Sequence, residues 1–592
     1  MNNEQLILFG LLILVFGFLI WGRSRYDLVA FMALLIALVL GVVPSDRAFS
    51  GFGHPATVVI ALVLIVSRGL SNSGAIELAA RYLIGAQRSL FSHISIMSAI
   101  SAALSAIMNN VAALALLMPL DLQAAARAKR SPALTLMPLS FASILGGLIT
   151  LIGTPPNIII AAFREEALGE PFGMFDFAPV GLACALVGVA FITLFGWKLI
   201  PRARGEHDTG KELLDLSGYI AEVKVVEGSL AIGRRVRELD KEADEAEVAI
   251  LGLVRNGRRL PGFARRAEIA EGDILVLEAG PEAIDKLVGA LKLAYVGADR
   301  PDGALVGADL GFVEVVVPEG ARIEGRTALS LKLLYRHGIN LLGVSRQGAQ
   351  FRDRVRRLTI LPGDVLLLLG PTERLPDITQ WLGCLPLAER GLQVIRRDKA
   401  TLAVTIFGVA ILLASLGVLY LPVALAGAAA LMVLTEIVPL RQVYESIEWP
   451  VIVLLGSMIP IGSALEASGG TALIAEGLVT ISAGASPALI LTLLMVVTMT
   501  LSDVLNNTAT AVIAAPIGID IATRLGVNPD PFLMAVAVAA SCAFLTPIGH
   551  KNNTLIMGPG GYHFGDYWRM GLPIEILVIA VGVPMILLVW PL

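Results

Sequence analysis

The sequence predicts an α-helical polytopic membrane protein in which two inverted repeats flank a soluble α+β insert. Its 592 residues are 56% hydrophobic with a mean hydropathy of +0.77, which is too apolar for a soluble protein of this size. Of the 94 Asp, Glu, Lys and Arg residues, 60 lie in positions 201–400, which predicts a soluble segment between two membrane halves. Apolar runs of bilayer-crossing length occur in two sets of five. An odd number of crossings per set gives the two sets opposite orientations.

Each set also contains one hairpin-like apolar pair between its third and fourth runs, which predicts a re-entrant hairpin. The first set covers about 5–21, 27–43, 55–70, 133–162 and 177–199, with its hairpin at about 91–120. The second set covers about 401–419, 421–439, 450–465, 531–548 and 572–591, with its hairpin at about 487–518. The predicted domains are a first membrane repeat (1–204), two insert domains (205–300 and 301–397) and a second membrane repeat (398–592).

The two hairpins carry the same polar motif at the same relative positions. Ser105, Asn109 and Asn110 recur as Ser502, Asn506 and Asn507, 397 residues later. Polar groups at membrane depth are tolerated where they are buried in protein or line a wet cavity. Matched polar interruptions in two repeats therefore predict a binding site shared between them.

Two further correspondences support the duplication. His54-Pro55 and Ser73-Gly74 match Trp449-Pro450 and Ser468-Gly469, and a Thr-x-x-Gly-x-x-x-Asn motif follows each hairpin, first at Thr150, Gly153 and Asn157 and then at Thr546, Gly549 and Asn553. Prolines beside these motifs, Pro155, Pro156 and Pro547, predict helix breaks, because proline cannot donate to the helical ladder.

The distribution of basic residues predicts the orientation. With the amino terminus outside, the insert and the basic residues near the helix ends of the first half are cytoplasmic: Arg23, Arg25, Arg81, Arg88, Arg127, Lys129, Arg130, Lys198, Arg202 and Arg204. Both termini are then outside, the first hairpin enters from the cytoplasm and the second from outside. The first apolar run lacks a basic leader and a cleavage site, so we expect a retained helix.

The insert has an internal repeat of its own. Glu222, Gly228 and Gly233 recur 92 residues later, and Gly252, Gly257 and Gly272 recur 91 residues later. Each unit predicts a β-strand, a short helix and further strands, including 248–254 and 273–277, then 339–344 and 364–369. There is no dinucleotide fingerprint or P-loop, so no nucleotide or organic cofactor is expected. The net charge of −4 argues against a nucleic-acid partner, and the three scattered cysteines against a disulfide framework or zinc site.

The Asn-Asn hairpins and the stretches 150–157 and 546–549 resemble the divalent-anion:sodium symporter family, which includes sodium–sulfate and sodium–dicarboxylate carriers of the ion-transporter superfamily. The insert resembles two tandem TrkA C-terminal (RCK C-terminal) domains. The resemblance implies a homodimer in the inner (plasma) membrane that works by an elevator-type movement of a transport part against a scaffold. It also implies two sodium ions per protomer, one at each hairpin tip, with the anion between the tips.

Carried over by position, the resemblance implies three sets of ligands. The first sodium site would use Ser105, Asn109, Asn110 and the carbonyl of Ile149. The second would use Ser502, Leu505, Asn506, Asn507 and the carbonyl of Leu545. The anion would contact Asn110, Asn507, Thr508, Thr546 and Pro547.

The chain departs from the Ser-Asn-Thr pattern of the dicarboxylate carriers. Asn109 and Asn506 replace the serines and Val111 replaces the first threonine. Losing a hydroxyl removes a donor for a second carboxylate, which favours a compact anion such as sulfate. No Lys or Arg lies inside either hairpin, so cations and helix amino termini are expected to neutralise the anion.

Several alternatives stay open from the sequence. The substrate could be a dicarboxylate, or the protein could be a cation/proton or oxyanion antiporter with Asp503 as the proton carrier. A channel would need a filter loop that the sequence lacks, and a membrane receptor would not need matched polar hairpins. No nucleophile–base pair or metal cluster indicates an enzyme. The insert could stabilise the dimer, inhibit, or bind a small anionic effector. His54, His93, His550 and His563 are expected at the membrane interface.

Overall fold

The computed structural model of the chain describes residues 2–21, 25–74, 89–128, 130–201, 220–246, 248–255, 258–260, 265–278, 281–295, 310–346, 349–351, 355–371, 373–387, 397–481 and 486–592. Several basic residues behind the predicted orientation lie outside these ranges, namely Arg23, Arg81, Arg88, Lys129, Arg202 and Arg204.

The chain alternates between two helical halves and a mixed insert. The first half contains α1 (Asn3–Trp21), α2 (Tyr26–Val39), α3 (Pro55–Asn72), α4 (Leu90–Ser105), α5 (Asn110–Arg127), α6 (Ala133–Gly147), α7 (Pro155–Leu168) and α8 (Ala178–Leu194). The insert contains β1 (Ile220–Val225), α9 (Asp240–Ala246), β2 (Ala249–Arg255), β3 (Arg258–Arg259), β4 (Ile274–Glu278), α10 (Pro281–Leu291), β5 (Leu293–Tyr295), β6 (Leu310–Val316), β7 (Asn340–Arg346), β8 (Ala349–Phe351), β9 (Val365–Pro371), α11 (Leu375–Leu382) and β10 (Leu385–Pro386). The second half contains α12 (Arg397–Ser415), α13 (Leu421–Leu434), α14 (Leu440–Ser446), α15 (Trp449–Ala467), α16 (Gly470–Ile481), α17 (Pro487–Val504), α18 (Asn507–Leu525), α19 (Asp530–Ser541), α20 (Lys551–Met557) and α21 (Trp568–Val589).

Helices α3 and α15 occupy equivalent places in the two halves and are built alike. Each carries a proline in its first turn, where a missing N–H costs nothing. Each ends at a serine, Ser73 or Ser468, whose hydroxyl donates to the carbonyl three residues back at 2.8 Å. A left-handed glycine follows, with φ of 71° at Gly74 and 74° at Gly469.

Two apolar runs that the sequence predicts as single segments are interrupted in the structure. Run 133–162 is divided into α6 and α7, and run 531–548 ends inside a gap between α19 and α20. We call the intervening residues 148–154 the first break loop and 542–550 the second break loop. The first lies before Pro155 and the second contains Pro547, as the proline argument predicts.

Helices α4 and α5 form the first hairpin, and α17 and α18 form the second. In each half the helix after the hairpin packs against its arms, α6 in the first half and α19 in the second. Among the described residues, five helices are long and apolar enough to cross a bilayer: α3, α15, α17, α18 and α21. Other apolar helices, including α4 and α6, are shorter.

The insert folds into two antiparallel five-stranded sheets with the orders β3-β2-β4-β1-β5 and β10-β6-β9-β7-β8. In the first sheet Lys224 pairs with Ile274, and in the second Val316 pairs with Val365. The ladder is irregular at Gly252 and again at Gly343, which are equivalent glycines of the predicted internal repeat.

Each sheet also contains the same ion pair between a partly exposed arginine and a buried aspartate. Arg255 donates to both oxygens of Asp273 at 2.8 and 2.7 Å, and Arg346 donates to both oxygens of Asp364 at 2.7 Å. Burial opposes the charge of Asp273, but the hydrogen bonds from Arg255 and from the Ala270 N–H outweigh it and lower the pKa of this carboxyl.

The backbones of the second insert domain and the second membrane half meet at a tight turn. Gly363 has a φ of 82°, and a Cβ added there would lie 3.0 Å from the Thr554 carbonyl of α20. A Cβ added at Gly558, directly after α20, would lie 1.9 Å from the Gly363 carbonyl. The equivalent Gly272 of the first insert domain has open space at this position. The two backbones can therefore meet because both contact positions are glycine.

Candidate functional site

The first asparagine of each pair caps the second arm of its hairpin. The Asn109 side-chain oxygen accepts from the Val111 N–H at 2.8 Å. The Asn506 oxygen accepts from the Thr508 N–H at 2.9 Å. Helix amino termini leave N–H groups without intrahelical acceptors, and asparagine is a preferred residue for satisfying them. These caps explain why the second arm of each hairpin begins as a helix at this point.

The threonine of each Thr-x-x-Gly-x-x-x-Asn motif ties the break loop to the end of the first hairpin arm. Thr150 donates to the Ala106 carbonyl at 2.5 Å, and Thr546 donates to the Asp503 carbonyl at 2.5 Å. These carbonyls belong to the last turn of a helix, where acceptors lack intrahelical donors. The hairpin tip and the break loop are therefore one unit in both halves.

The glycine and asparagine of the motif hold the break loop in shape. A Cβ at Gly153 would lie 2.4 Å from the Gly147 carbonyl, and a Cβ at Gly549 would lie 2.9 Å from Asp503 backbone atoms. The amide nitrogen of Asn157 donates to the Thr150 carbonyl at 2.9 Å. Asn553 repeats this contact in the second half, where its amide nitrogen donates to the Thr546 carbonyl at 3.2 Å.

The tip of the first hairpin is bonded to the second half of the chain. Asn110 is 3% exposed, and its amide lies 2.5 Å from the Ser105 hydroxyl and 3.3 Å from Nε2 of His550. The Asn110 carbonyl accepts from Ser143 at 2.9 Å and from the Asn552 amide at 3.3 Å. Both halves therefore meet at this asparagine.

The tip of the second hairpin is more open. Asn507 is half-buried, and its side-chain oxygen accepts from its neighbour Thr508, at 2.8 Å from the N–H. Within the described part of the chain its amide nitrogen donates no hydrogen bond to protein, and none connects Asn507 or Thr508 to Asn110. The structure thus connects Asn110 to the second break loop, but it does not bring the two predicted anion-binding asparagines into contact.

The remaining predicted ligands lie at the tips and in the break loops. Ser502 donates to the Ala540 carbonyl at 2.5 Å, and Leu505 is the buried residue at the end of α17. Ile149 and Leu545 lie in the first and second break loops, and their carbonyls accept no hydrogen bond among the described residues. Pro547 offers its carbonyl to Thr554 at 2.6 Å.

Buried oxygen atoms without partners collect around the break loops. They are Oγ1 of Thr154, Oδ1 of Asn157 and Oδ1 of Asn552, none of which has a partner among the described residues. Buried polar atoms are normally hydrogen-bonded, so each of these calls for an explanation. All three are oxygen, the ligand atom that hard cations take.

Two polar groups near the site, Asn552 and Glu575, were not singled out from the sequence. Asn552 and His550 contact Asn110, and the His550 side chain is 5% exposed. Glu575 of α21 lies beside Asp503 and accepts from the Phe544 N–H at 3.4 Å. An acidic residue inside the apolar run 572–591 was the available signal for Glu575, because such residues at membrane depth are functional candidates by default.

His93 is buried in the protein and bonded to a buried carboxyl. It is 8% exposed, and Nε2 lies 2.6 Å from Oδ1 of Asp121, which is fully buried. Thr135 donates to the other Asp121 oxygen at 2.5 Å. Asp121 directly follows the predicted first hairpin, so the sequence placed it outside the site.

Two family models match the chain. The citrate transporter model matches residues 16–485, and the sodium:sulfate symporter transmembrane region matches residues 382–592. Together they cover both helical halves and the insert.

Full-length relatives agree with these matches. An uncharacterized transporter of Synechocystis, sll0640, is 31% identical over 95% of this chain and 94% of its own length. The uncharacterized transporter YfbS of Escherichia coli is 30% identical over the whole of both chains. Sodium/sulfate cotransporter 2 of Chlamydomonas reinhardtii is 21% identical over 95% of this chain and 87% of its own.

Among solved structures, the RCK domain of GsuK is 12% identical and covers 35% of this chain and 79% of that domain, with a TM-score of 0.13. This score establishes no shared fold, so the TrkA-type assignment of the insert stays a prediction. The sequence matches do establish a mostly helical membrane transporter. The carboxy-terminal part of the chain is similar to the sodium:sulfate symporter transmembrane region. By the extent of the first model, the chain belongs to the citrate-transporter family.

Proposed function

We propose that the protein is a sodium-coupled symporter of a divalent anion, with sulfate as the first candidate. The observation that carries this proposal is the cluster of partnerless buried oxygen atoms around two break loops that are tied to two hairpin tips. The names of the sodium/sulfate cotransporters of Chlamydomonas reinhardtii, at 21–26% identity, support the choice of ions.

The oxygen-only character of the site supports sodium as the coupled ion. The free carbonyls of Ile149 and Leu545 are the kind of group that a broken helix offers to a hard cation. In the first site they join Ser105, Asn109 and Asn110, and in the second Ser502, Leu505, Asn506 and Asn507, as the resemblance implies. Asn109 and Asn506 can serve both as caps and as ligands, because an amide oxygen has two lone pairs.

The contacts of the two hairpin tips favour a larger contribution to anion binding from the second tip than from the first. The amide nitrogen of Asn507 is free to donate, and Thr508 lies in the first turn of α18, where the helix dipole attracts an anion. Thr546 already donates its hydroxyl to Asp503, so it would offer the anion its N–H or a rearranged hydroxyl. Asn110 is held by the second half, so we propose that it fixes the position of the opposite wall of the site.

The proposed architecture follows the sequence prediction. Two inverted repeats (1–204 and 398–592) present re-entrant hairpins, about 91–120 and 487–518, from opposite faces of the plasma membrane. The transport part moves against a scaffold in a homodimer, by an elevator-type movement. The insert (205–300 and 301–397) is cytoplasmic, both termini are outside, and an anionic effector is a candidate ligand of the insert. The contact between Gly363 and Gly558 supports a direct link from the insert to the transport part.

Uptake into proteoliposomes tests the function. Labelled sulfate, thiosulfate, succinate, citrate and bicarbonate are each offered with a sodium gradient or with choline at one pH. We expect sodium-dependent uptake of sulfate, and at least a tenfold loss in Asn507→Ala. Thr523→Ala, on the same helix but exposed and bonded to Ile519, is the matched control and should keep wild-type uptake.

Three results would each contradict a part of the proposal. Uptake that ignores sodium and follows pH would replace symport with the antiporter alternative. Sodium-dependent uptake of succinate or citrate in preference to sulfate would replace the substrate and leave the coupling intact. Wild-type uptake by Asn507→Ala would show that the anion does not contact the second tip.

A further inference from the structure

His550 ends the second break loop and makes a contact through each of its two ring nitrogens. Nδ1 accepts from the Asn552 N–H at 3.1 Å and so caps the first turn of α20. Nε2 lies 3.3 Å from the amide of Asn110, at the tip of the first hairpin. One buried ring thus joins the start of a helix in the second half to the hairpin tip of the first half.

The cap decides which ring nitrogen of His550 carries the hydrogen. A backbone N–H can only donate, so the Nδ1 that accepts from Asn552 carries no hydrogen. A neutral imidazole has one donor nitrogen and one acceptor nitrogen, which places its hydrogen on Nε2. His550 is therefore a hydrogen-bond donor toward Asn110.

This donor fixes the direction of the Asn110 amide. The two ends of an amide group have nearly the same shape, and the surrounding hydrogen bonds decide which end is oxygen. An amide nitrogen facing Nε2 would set two donors against each other, so the oxygen of Asn110 faces His550. The amide nitrogen then faces the Ser105 hydroxyl, at 2.5 Å. Ser105 tolerates either end of the amide, because a hydroxyl both donates and accepts.

The first half shows that the start of the helix does not require a histidine. At the offset of 396 residues Thr154 takes the place of His550, and α7 begins after it without a side-chain cap. Helix α7 packs against α18, which begins at Asn507. In the described part of the chain, the Thr154 hydroxyl has no partner and the Asn507 amide nitrogen donates to no protein atom. The longer side chain at position 550 is therefore explained by its contact with Asn110.

A glycine on α6 makes room for the held amide. A Cβ at Gly147 would lie 2.3 Å from one end of the Asn110 amide and 2.9 Å from the other. The equivalent residue of the second half is Ala543, which carries that methyl group. The first half thus provides both the space and the donor that hold the asparagine of its hairpin tip, and the second half provides neither.

From this geometry we propose that His550 is a positioning residue that turns the amide nitrogen of Asn110 toward the anion. With its oxygen held by His550, Asn110 uses one hydrogen of its amide nitrogen on Ser105. The other hydrogen has no acceptor among the described residues, which leaves it for an oxygen of the anion. Both hairpin tips then offer an amide N–H to the anion, the second through Asn507. The inference rests on the proposed function, symport of a divalent anion.

Two substitutions separate this positioning role from the cap. Asparagine is a preferred helix cap, so His550→Asn keeps an acceptor for the Asn552 N–H, but its side chain is too short to reach Asn110. Glutamine is one methylene longer, so His550→Gln brings an amide N–H to Asn110 and gives up the cap. The two variants therefore lose different contacts of the same residue.

The first measurement compares KM for sulfate with thermal stability. Labelled sulfate uptake into proteoliposomes is measured at saturating sodium, and thermal unfolding is measured in detergent. We expect KM to rise about tenfold in His550→Asn and to stay within about twofold of wild type in His550→Gln. Thermal unfolding should show the opposite order, with His550→Gln the less stable of the two. His563→Asn is the matched control, because His563 is an exposed histidine that caps the short helix Phe564–Asp566.

The sodium dependence supplies a second readout from the same vesicles. The sodium concentration that gives half-maximal uptake should stay within about twofold of wild type in both variants. The reason is that His550 bonds Asn110 and Asn552 in the described part of the chain, and none of Ser105, Asn109 and Ile149. A rise in this concentration to match the rise in KM would overturn a role directed at the anion.

Two outcomes of the uptake experiment separate the inference from the proposed function. If His550 acts only as a cap, KM will follow stability, with His550→Gln impaired and His550→Asn close to wild type. That order would overturn the positioning role and leave symport standing. Absence of sodium-dependent sulfate uptake in wild type would overturn the proposed function instead.

The position of the ring hydrogen gives a readout that needs no substrate and no transport. The protein has six histidines, and solid-state NMR of isotope-labelled histidine in lipid resolves which ring nitrogens carry hydrogen. The His550 signal is the one that either variant removes. At neutral pH we expect a hydrogen on Nε2 and none on Nδ1. A hydrogen on Nδ1, alone or together with one on Nε2, would overturn the proposed direction of the Asn110 amide, whatever the protein transports.

Discussion

The two hairpins are attached to the chain by the same contacts, yet they bury their ionisable groups at opposite ends. The first hairpin carries His93 and Asp121 at its base, where the second has Ile490 and Gly518. The second carries Asp503 at its tip, where the first has Ala106. Both halves therefore share the contacts that attach the hairpin to the rest of the chain, but they bury different ionisable side chains at its base and its tip.

Glu575, which lies beside Asp503, also lacks an acidic counterpart in the other half. A Cβ at Gly181 of α8 would lie 2.2 Å from the Leu148 carbonyl, and a Cβ at Gly571 of α21 would lie 2.3 Å from the Phe544 carbonyl. These equivalent contacts align α8 with α21. In this alignment Ala185 is the position equivalent to Glu575. Both carboxyls of the second tip thus have alanine counterparts in the first half. Shared contacts are the ones that the fold requires, and the unshared groups are those in which the halves have specialised.

The largest effect should come from the shared glycines of the break loops. Gly153→Ala and Gly549→Ala place a methyl group 2.4 Å and 2.9 Å from backbone atoms, too close for either loop to keep its shape. Overpacking of this kind costs about 1–3 kcal/mol, so we expect at least a tenfold loss of uptake in both variants, with the greater loss at Gly153. Gly462→Ala on α15, which has open space, is the control. Normal uptake in only one variant would show that the two loops are not equivalent.

The shared threonines should have a smaller effect and separate the roles of the halves. Thr150→Val and Thr546→Val each remove a hydroxyl that donates to a hairpin carbonyl, at a cost of about 1–2 kcal/mol of unfolding free energy. Thermal unfolding in detergent measures this loss, which should be similar for both. Only Thr546→Val should also raise KM for the anion, because Thr546 is proposed to contact it. An equal rise of KM in both variants would contradict the proposal that the second tip contributes more to anion binding than the first.

The smallest effect concerns the insert, whose two domains share an Arg–Asp pair. The pKa of Asp273 is lowered in the folded protein, so its contribution is present above the usual aspartate pKa near 4 and lost as the pH falls through the lower folded value. Asp273→Asn should therefore cost about 1 kcal/mol at pH 7 and nothing at low pH. Hydrogen exchange of β4 (Ile274–Glu278) measures this cost. A cost that persists at low pH would assign it to packing.

The sequence predicted what the two halves have in common. Repeated motifs located both hairpins, both break loops and the caps at Asn109 and Asn506, since each of these is a local rule of helix starts and breaks applied twice. The helix interruption within run 133–162 could not be placed to the residue, because hydropathy stays high through the gap. In the insert, the equivalent glycines of the predicted internal repeat lie at equivalent turns and ladder irregularities.

The missed residues are those without a counterpart. His93, Asp121 and Glu575 each stand alone in an apolar run, and a search for repeats finds shared positions and passes over differences. His550 was missed for another reason: it contacts Asn110 across 440 residues, and nothing local in the sequence indicates that pairing. Long-range polar contacts of this kind depend on the packing of whole helices.

The short helix α20 connects the contact with the insert to the residues that bond the first hairpin tip. Seven residues of helix span roughly 10 Å. One end of α20 begins beside His550 and Asn552, which bond Asn110, and the other end meets the turn at Gly363. A helix of this length is too short to bend, so a displacement of one end of α20 must also displace its other end. The turn at Gly363 is thus about two helical turns from the residues that bond Asn110, a proposed ligand of the first sodium ion and of the anion.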